Sequence, residues 1–255
     1  PEFDYILGGL FANQNHLPSK FSYEQEYIIC EIDESDRTIE NFSPEVTIAL
    51  NLDEDHIVNY QDKDTLFATF GKLFFNTKSA IIVSESSKDL YKTAIQIAQK
   101  NTKILTFHND SNFKIANRNA VNCFREYICN DIKFNKKNAV FYSEKGGSSQ
   151  LQSLAVFRRN ECFGCVKNVQ FFADYAHHPT EIQAWLTNFQ ATYKKFPDAI
   201  FFQPHRYTRT QQYFKEFADV LSDSSAEIYL LPVYSAGENF IQNGTSQEIF
   251  DEINS

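Results

Sequence analysis

One stretch of this 255-residue chain limits its possible folds more than any other: Phe171–Ile182, read FFADYAHHPTEI. An apolar, strand-like run ends there in side chains that can bind a metal, hold a phosphate or move a proton: Asp174, Tyr175, His177 and His178. Pro179 then opens a helix pattern, because Pro suits the first helical turn and apolar residues follow at helical spacing. Open α/β sheets keep their sites where a strand ends beside a helix N-terminus. The alternative is a buried Asp–His pair in an ordinary turn.

A second strand pattern ends in the same way one helix later, at Ala199–Arg209 (AIFFQPHRYTR). Its strand, Ile200–Phe202, is followed by His205, Arg206 and Arg209. A right-handed crossover places the carboxyl ends of neighbouring parallel strands side by side, so we expect both polar sets at one edge of a single sheet. A solvated basic turn is the alternative for either Arg taken singly.

Two strand patterns nearer the N-terminus also end in polar residues. Tyr27–Glu31 is nearly all apolar, which predicts a central strand of a parallel sheet. Four carboxylates close it: Glu31, Asp33, Glu34 and Asp36. Val46–Leu50 predicts the next strand, which is followed by Asn51, Asp53, Asp55 and His56. Clustered carboxylates repel one another unless a cation neutralises them, which favours Mg²⁺ over a solvated acidic turn. His56 alone favours a transition metal or no metal.

Strand and helix patterns alternate throughout. They predict an α/β fold, with a doubly wound, mostly parallel sheet of the ATPase type followed by a smaller Rossmann-like α/β domain. We place the two domains at 1–164 and 165–255. Asp64–Phe75 predicts an amphipathic helix capped by Asp64 or Thr65. In the second domain, Gln211–Leu221 predicts a helix between two strands. The sequence has no GxGxxG fingerprint to support NAD binding.

The amino-acid composition limits the kinds of partner that this chain could bind. A formal charge of −9 argues against a nucleic-acid partner, and the sequence has no apolar run of about 18 residues to span a membrane. The five cysteines are an odd number, which favours reduced, mostly structural thiols in a cytoplasmic protein. Cys162 and Cys165 form a CxxC motif, for which a redox or zinc role is the alternative.

Several motifs together resemble the Mur ligases, in the family's order along the chain. They are EIDESD, NLDEDH, ADYAHHPTEI, FQPHRYTRT and VYSAGE. The likeness is strongest to the branch of the family that adds L-alanine to UDP-N-acetylmuramate. It implies ATP-dependent amide formation through an acyl phosphate in peptidoglycan synthesis, with ATP and Mg²⁺ as cofactors.

The resemblance also implies roles for individual residues. The metal ligands would be Glu31 and His56. ATP would be bound by Asn138, Arg158, Arg159 and Asp174. The amino acid would be held by Tyr175, Arg206 and Arg209, with His177, His205 and Arg206 catalytic. Two departures stand out: Phe134 replaces a family His before Asn138, and Ala173 replaces a family Asp. A solvated basic pair is the alternative for Arg158 and Arg159.

The family's phosphate loop and UDP-binding domain belong upstream of this sequence, and its last strand belongs downstream. We therefore expect a part of a longer enzyme that alone cannot hold ATP productively. Two other interpretations stay open: a related ligase that reattaches recycled peptide, and a paralogue that binds a nucleotide without chemistry. The basic residues of QPHRYTRT suit a small amino-acid carboxylate, which argues against the ligase that reattaches peptide. The non-catalytic paralogue is disfavoured because the chain retains Glu31, His56, Asp174 and His205.

Overall fold

Residues 3–9, 17–22, 24–34, 37–52, 60, 62–110, 113–130 and 158–255 are described by a computed structural model, which divides into two compact units. Of the described residues, the first unit takes those up to Ala173 except Phe113, and the second unit takes Phe113 and Asp174–Ser255. The division therefore falls directly before the polar segment that opens with Asp174. The domain bounds of 1–164 and 165–255 stay a prediction.

A small sheet lies near the N-terminus of the first unit. Its strands are β1 (Asp4–Ile6), β2 (Ser19–Lys20) and β3 (Ile28–Cys30). β1 is central, antiparallel to β2 and parallel to β3. The prediction of a central β3 is wrong for this sheet: Ile28 and Ile29 keep 48% and 46% of their surface exposed. Apolar composition alone does not decide whether a strand lies at the centre or the edge.

A parallel sheet forms the body of the first unit. Its strands lie in the order β4 (Val46–Ala49), β5 (Ala80–Ser84) and β6 (Lys103–Phe107), and α1 (Lys63–Asn76), α2 (Lys88–Ile97) and α3 (Phe113–Asn130) follow them in turn.

Alternate side chains of β5 point to opposite faces of this sheet. Ile81 and Val83 pack with α1 and α2, while Ala80 and Ile82 pack with α3. Helices thus cover both faces, and the doubly wound α/β prediction is confirmed.

The cap of α1 lies two or three residues before the predicted cap at Asp64 or Thr65. The cap is Asp62, whose carboxylate accepts a hydrogen bond from the Thr65 backbone N–H at 2.7 Å. Glu40, in a 3-10 helix at Thr38–Asn41, binds this helix to α1. The Glu40 carboxylate accepts from Thr69 Oγ1 at 2.8 Å and pairs with Lys72.

A β-hairpin closes the first unit. It consists of β7 (Glu161–Val166) and β8 (Val169–Ala173), which run antiparallel. Lys167 and Asn168 form its two-residue turn, with φ of 48° and 68°. Positive φ at both turn residues matches the right-handed twist of a hairpin. The prediction that β8 shares one parallel sheet with the strand at residues 199–202 is therefore wrong, because β8 pairs with β7.

The second unit is a small α/β structure. Its elements are α4 (Pro179–Tyr193), β9 (Ala199–Phe202), α5 (Tyr207–Ser222), β10 (Glu227–Leu230) and α6 (Ser246–Ile253). β9 and β10 pair in parallel. Phe202, Phe217 and Ile249 lie in the core that these strands and helices share. Across the described parts of both units, every helix is too short or too polar to cross a bilayer.

Candidate functional site

The polar segment before α4 is held by hydrogen bonds to its own backbone. Asp174 Oδ1 accepts from the Ala176 N–H at 2.8 Å, which makes a tight turn. His178 caps α4, and Glu181 Oε2 accepts from the N–H groups of His177 and His178 at 2.9 and 3.3 Å. This capping box confirms the predicted helix start and holds the backbone of His177 in place.

The segment after β9 bends sharply into α5. Arg206 adopts φ 74°, ψ 136°, and its N–H donates to the Tyr234 carbonyl at 2.8 Å. His205 pairs with Tyr234 in an isolated parallel bridge that prolongs the β9–β10 ladder. α5 then begins at Tyr207, earlier than the predicted start at Gln211, so Arg209 lies in the first turn of the helix.

Four rings from three segments of the second unit form a continuous row, which we call the aromatic row: Tyr175, His177, His205 and Tyr234. Successive ring centroids lie 5.4, 5.7 and 5.5 Å apart. The structure thus brings together the two histidines that the sequence predicts as catalytic. Tyr234 was missed, although it lies inside the VYSAGE motif.

A buried guanidinium determines the protonation of His205. Arg209 is only 6% exposed. Its Nη1 donates to Nδ1 of His205 and to the His205 carbonyl, both at 3.2 Å. Because a guanidinium cannot accept a hydrogen bond, Nδ1 must carry a lone pair, and the neutral ring carries its proton on Nε2. Burial lowers the pKa of His205, and the charges of Arg209, His177 and Arg206 lower it further against an opposing effect of Glu238.

His177 has the opposite tautomer. Its Nδ1 lies 2.9 Å from the Tyr175 carbonyl oxygen and 3.5 Å from Glu181 Oε2. Both of these oxygens accept hydrogen bonds, so Nδ1 carries the proton and the neutral ring has its lone pair on Nε2. The aromatic row therefore pairs one imidazole that can take a proton at Nε2 with one that can donate from Nε2.

A carboxylate that sequence reasoning did not assign completes the site. Glu238 accepts from the Thr208 N–H at 3.1 Å and from Thr208 Oγ1 at 2.6 Å, which caps α5. Ala236 and Gly237, with φ of 50° and 87°, turn the chain ahead of it. Burial opposes ionisation of Glu238, but the hydrogen bonds from Thr208 and Tyr207 and the charge of Arg206 prevail and lower its pKa.

In the first unit, Glu31 directly follows β3 at the carboxyl end of the small sheet. Its Oε2 accepts from the Gly8 N–H, at the end of β1, at 2.9 Å. The side chain is exposed. The metal role of Glu31 stays a prediction, and His56 lies outside the described residues. In the part of the chain that is described, His, Cys, Asp and Glu do not gather in groups of three or more that could hold a metal.

The structure describes three of the four predicted ATP-binding residues. Arg158 and Arg159 are exposed at the start of the hairpin, where the Arg158 N–H donates to Glu161 Oε2 at 3.0 Å. Asp174 lies in the tight turn before α4. Asn138 lies outside the described residues.

Two family models match this chain over most of its length. The Mur ligase middle domain matches residues 13–139, and the Mur ligase, glutamate ligase domain matches residues 158–255. The chain belongs to the Mur ligase family. This confirms the resemblance inferred from the sequence motifs.

Several relatives of this Mur ligase chain carry the name UDP-N-acetylmuramate–L-alanine ligase. The UDP-N-acetylmuramate–L-alanine ligase of Endomicrobium trichonymphae is 30% identical over 89% of this chain and 56% of its own length. That of Phocaeicola vulgatus is 30% identical over 97% of this chain and 58% of its own. The chain thus spans little more than half the length of these relatives.

Solved structures show the same fold. The UDP-N-acetylmuramate–alanine ligase of Thermotoga maritima matches with a TM-score of 0.59 at 18% identity, over 89% of this chain and 60% of its own. A bifunctional folylpolyglutamate synthase/dihydrofolate synthase matches with a TM-score of 0.58 at 12% identity, over 91% of this chain and 57% of its own. At these identities the likeness supports the fold alone.

Proposed function

We propose that this chain is the middle and C-terminal part of an ATP-dependent ligase that joins L-alanine to UDP-N-acetylmuramate in peptidoglycan synthesis. The observation that carries the proposal is that the rings of His177 and His205 are neighbours, 5.7 Å apart, and that their Nδ1 atoms contact a carbonyl oxygen and the Arg209 guanidinium respectively. The names of the relatives supply the substrates. On this proposal residues 1–164 serve ATP, and residues 165–255 serve the amino acid except for Asp174, which contacts the ribose of ATP. The enzyme works in the cytoplasm, where ATP and UDP-N-acetylmuramate are both available.

The first half of the reaction brings like charges together. The carboxylate of UDP-N-acetylmuramate attacks the γ-phosphate of ATP, giving an acyl phosphate and ADP. Bound Mg²⁺ would neutralise the phosphate oxygens, which otherwise repel the attacking carboxylate. Glu31 would hold the metal together with His56. Arg158 and Arg159 would bind the phosphates, since exposed guanidinium groups match phosphate oxygens in bidentate geometry.

Two further residues would bind ATP. Asp174 would accept a hydrogen bond from the ribose, and Asn138 would contact the adenine. Asp174 is suited to this role because its turn fixes the direction of the carboxylate, with Oδ1 on the Ala176 N–H.

In the second half, the alanine amine attacks the acyl carbon and phosphate leaves. Arg206 is exposed at the turn into α5 and would pair with the alanine carboxylate, a geometry that Lys cannot match. Tyr175 is half exposed beside His177 and would line the amino-acid site. The burial of Arg209 favours a positioning role through His205, and direct contact of Arg209 with alanine stays a prediction.

The alanine ammonium must lose a proton before its lone pair can attack. His177 would take that proton at Nε2, because its Nδ1 proton is held by the Tyr175 carbonyl. His205 would donate from Nε2–H to an oxygen of the reacting acyl phosphate, since Arg209 occupies its Nδ1. The lowered pKa of His205 keeps this ring neutral at neutral pH, so it donates a hydrogen bond without adding a positive charge.

Phosphate release from ATP by the complete polypeptide tests the proposal. We expect release that requires both UDP-N-acetylmuramate and L-alanine. Turnover with a tripeptide but not with alanine would assign the chain to the recycling of peptide. Silence with every amino donor would refute a ligase.

Arg206→Lys tests the binding of alanine. We expect the KM for alanine to rise at least about tenfold, since the substitution loses one charge-assisted hydrogen bond, with little change in the KM for ATP. Arg118→Lys on the exposed face of α3 is the matched control and should change neither constant. Equal losses for alanine and ATP would contradict the assignment of Arg206.

A further inference from the structure

Helix α5 consists of two segments that different parts of the second unit hold in place. Tyr213 departs from helical geometry, with φ −121° and ψ 19°, and separates a first segment, 207–212, from the rest of the helix. Thr210 contributes to this kink, because its hydroxyl donates to the Arg206 carbonyl at 2.8 Å, and such bonds bend helices. Beyond the kink, α5 packs in the core through residues such as Phe217. Core packing therefore does not by itself fix the direction of the first segment.

A loop at residues 236–244 holds the first segment. Gln211 Nε2 donates to the Gln242 carbonyl at 3.0 Å. Gly244 is buried so close to the segment that a Cβ atom there would lie 2.7 Å from the Tyr207 carbonyl oxygen. The first segment is thus attached to a loop, while the rest of α5 is attached to the core.

Tyr213 contacts the residue that follows His177. The rings of Tyr213 and His178 meet edge to face, with centroids 4.7 Å apart and an interplanar angle of 76°. His178 is buried, caps α4 and shares Glu181 with His177, because the same carboxylate oxygen accepts from both backbone N–H groups. The Tyr213 ring therefore contacts a part of the chain whose position sets that of His177.

The α5 backbone joins Tyr213 to Arg209, four residues earlier. Arg209 is buried in the first segment and donates to Nδ1 of His205. Contacts and backbone together form a closed circuit, which runs through His177, His178, Tyr213, Arg209 and His205. In this circuit, the contact between Tyr213 and His178 is the one that joins α5 to the cap of α4.

We propose that Tyr213 is a positioning residue, which sets the separation of the His177 and His205 imidazoles. The inference rests on the proposed function, because this separation matters for the reaction only if one ring takes a proton and the other donates. Without the Tyr213 ring, the cap of α4 and the first segment of α5 would move independently. A displacement of about 1 Å in a reacting group can lower a rate about 100-fold.

A nuclear Overhauser effect between the two imidazole rings measures their separation without reference to activity. It is recorded on the complete polypeptide, with histidine as the only protonated and isotope-labelled residue type. We expect a cross-peak between His177 and His205 in the wild type and its loss in Tyr213→Leu, because Leu suits the helix but removes the ring. Tyr213→Phe keeps the ring and should retain the cross-peak.

Ligation kinetics of the same variants supply the functional readout. In Tyr213→Leu we expect kcat to fall at least about tenfold with an unchanged KM for ATP, and in Tyr213→Phe to stay within about twofold of the wild type. Phe214→Leu is the matched control: it removes a neighbouring, partly buried ring of the same helix and should change neither the cross-peak nor kcat. A cross-peak of wild-type intensity in Tyr213→Leu, or an equal effect of Phe214→Leu, would overturn the positioning role.

His178→Asn tests the same contact from α4 and covers the case in which Tyr213→Leu does not fold. Asn keeps a capping side chain for α4 and removes the ring that Tyr213 contacts. We expect loss of the cross-peak and a fall in kcat, and less than about twofold further loss in Tyr213→Leu/His178→Asn, because both substitutions break one contact. An intact cross-peak in His178→Asn, or multiplied losses in the double variant, would overturn the proposal.

The two readouts also separate this inference from the proposed function. Cross-peaks that respond as expected in a wild-type polypeptide that does not ligate would refute the proposed function and support the positioning of the two rings. Ligation by the wild type, with cross-peaks that do not respond to Tyr213→Leu, would overturn the positioning role alone.

Discussion

Removal of the Glu238 carboxylate should loosen the first turn of α5. A helix leaves its first N–H groups without intrahelical partners, and Arg206, with φ 74°, makes no side-chain cap. Glu238 supplies that cap from 30 residues further along the chain, through the Thr208 N–H and hydroxyl. The same turn carries Arg209, which holds the ring of His205. Removal of the Glu238 carboxylate should therefore loosen the helix turn that carries Arg209, and Arg209 sets the tautomer of His205 in the aromatic row.

The expected magnitude follows from these two contacts. Loss of a helix cap costs about 0.5–2 kcal/mol, and loss of a negative charge at a helix N-terminus about 0.3–1 kcal/mol. Glu238→Ala removes both contributions. Glu238→Gln keeps an oxygen acceptor and loses the charge alone. A cost of about 1–2 kcal/mol corresponds to local opening that is about 5–30 times more frequent.

Hydrogen exchange of a peptide that covers residues 203–212 measures this opening. We expect exchange to speed up by about 5–30-fold in Glu238→Ala and by less in Glu238→Gln, since opening of the turn exposes its N–H groups. Glu216→Ala, at an exposed position on the same helix, is the control and should leave this peptide unchanged. Unchanged exchange in Glu238→Ala would refute the capping role. Exchange in Glu238→Gln that is as fast as in Glu238→Ala would also refute it.

Three further predictions concern charge. Glu40→Gln should cost about 1 kcal/mol in urea unfolding at neutral pH, because hydrogen bonds from Lys72, Thr69 and Arg37 lower the Glu40 pKa from 4.5 to about 2. This difference should vanish as the pH falls from 4.5 toward 2; a constant difference would contradict it. The lowered pKa of His205 should make wild-type stability fall as the pH drops below 6.5, and His205→Gln should flatten that fall in the same unfolding assay. Glu31→Gln should raise the Mg²⁺ requirement of phosphate release at least about tenfold, as measured by Mg²⁺ titration of the complete enzyme.

Local sequence signals predicted the elements that lie beside the site. Pro179 with Glu181 marked the start of α4, and the apolar run at residues 200–202 marked β9. Both signals act over a few residues, so they do not depend on the rest of the fold. The pairing of strands does depend on it. β8 was wrongly assigned to the sheet of β9, because a strand pattern does not name its partner and the turn at Lys167 and Asn168 lacks the usual glycine.

The missed features of the site have the same origin. Glu238 reaches α5 from a distant turn, and no pattern around Tyr207 shows that this helix is capped from elsewhere. In the absence of a local cap, the helix start was placed at Gln211, which left Arg209 outside the predicted helix. The contact of Tyr234 with His205 depends likewise on the parallel pairing of β9 with β10, which extends into the loops beyond.

One contact was within reach of the sequence. His205 and Arg209 are four positions apart, so an Arg in the first turn of a helix can reach back to the residue just before it. The consequence is chemical, because a guanidinium only donates. A neutral His205 must keep its lone pair on Nδ1, while the carbonyl at Nδ1 of His177 imposes the reverse. If Arg209 were replaced by an acceptor, His205 would take the tautomer of His177, and the aromatic row would offer two bases and no donor. The identity of residue 209 therefore decides which imidazole can act as base, although its side chain is buried beneath the row.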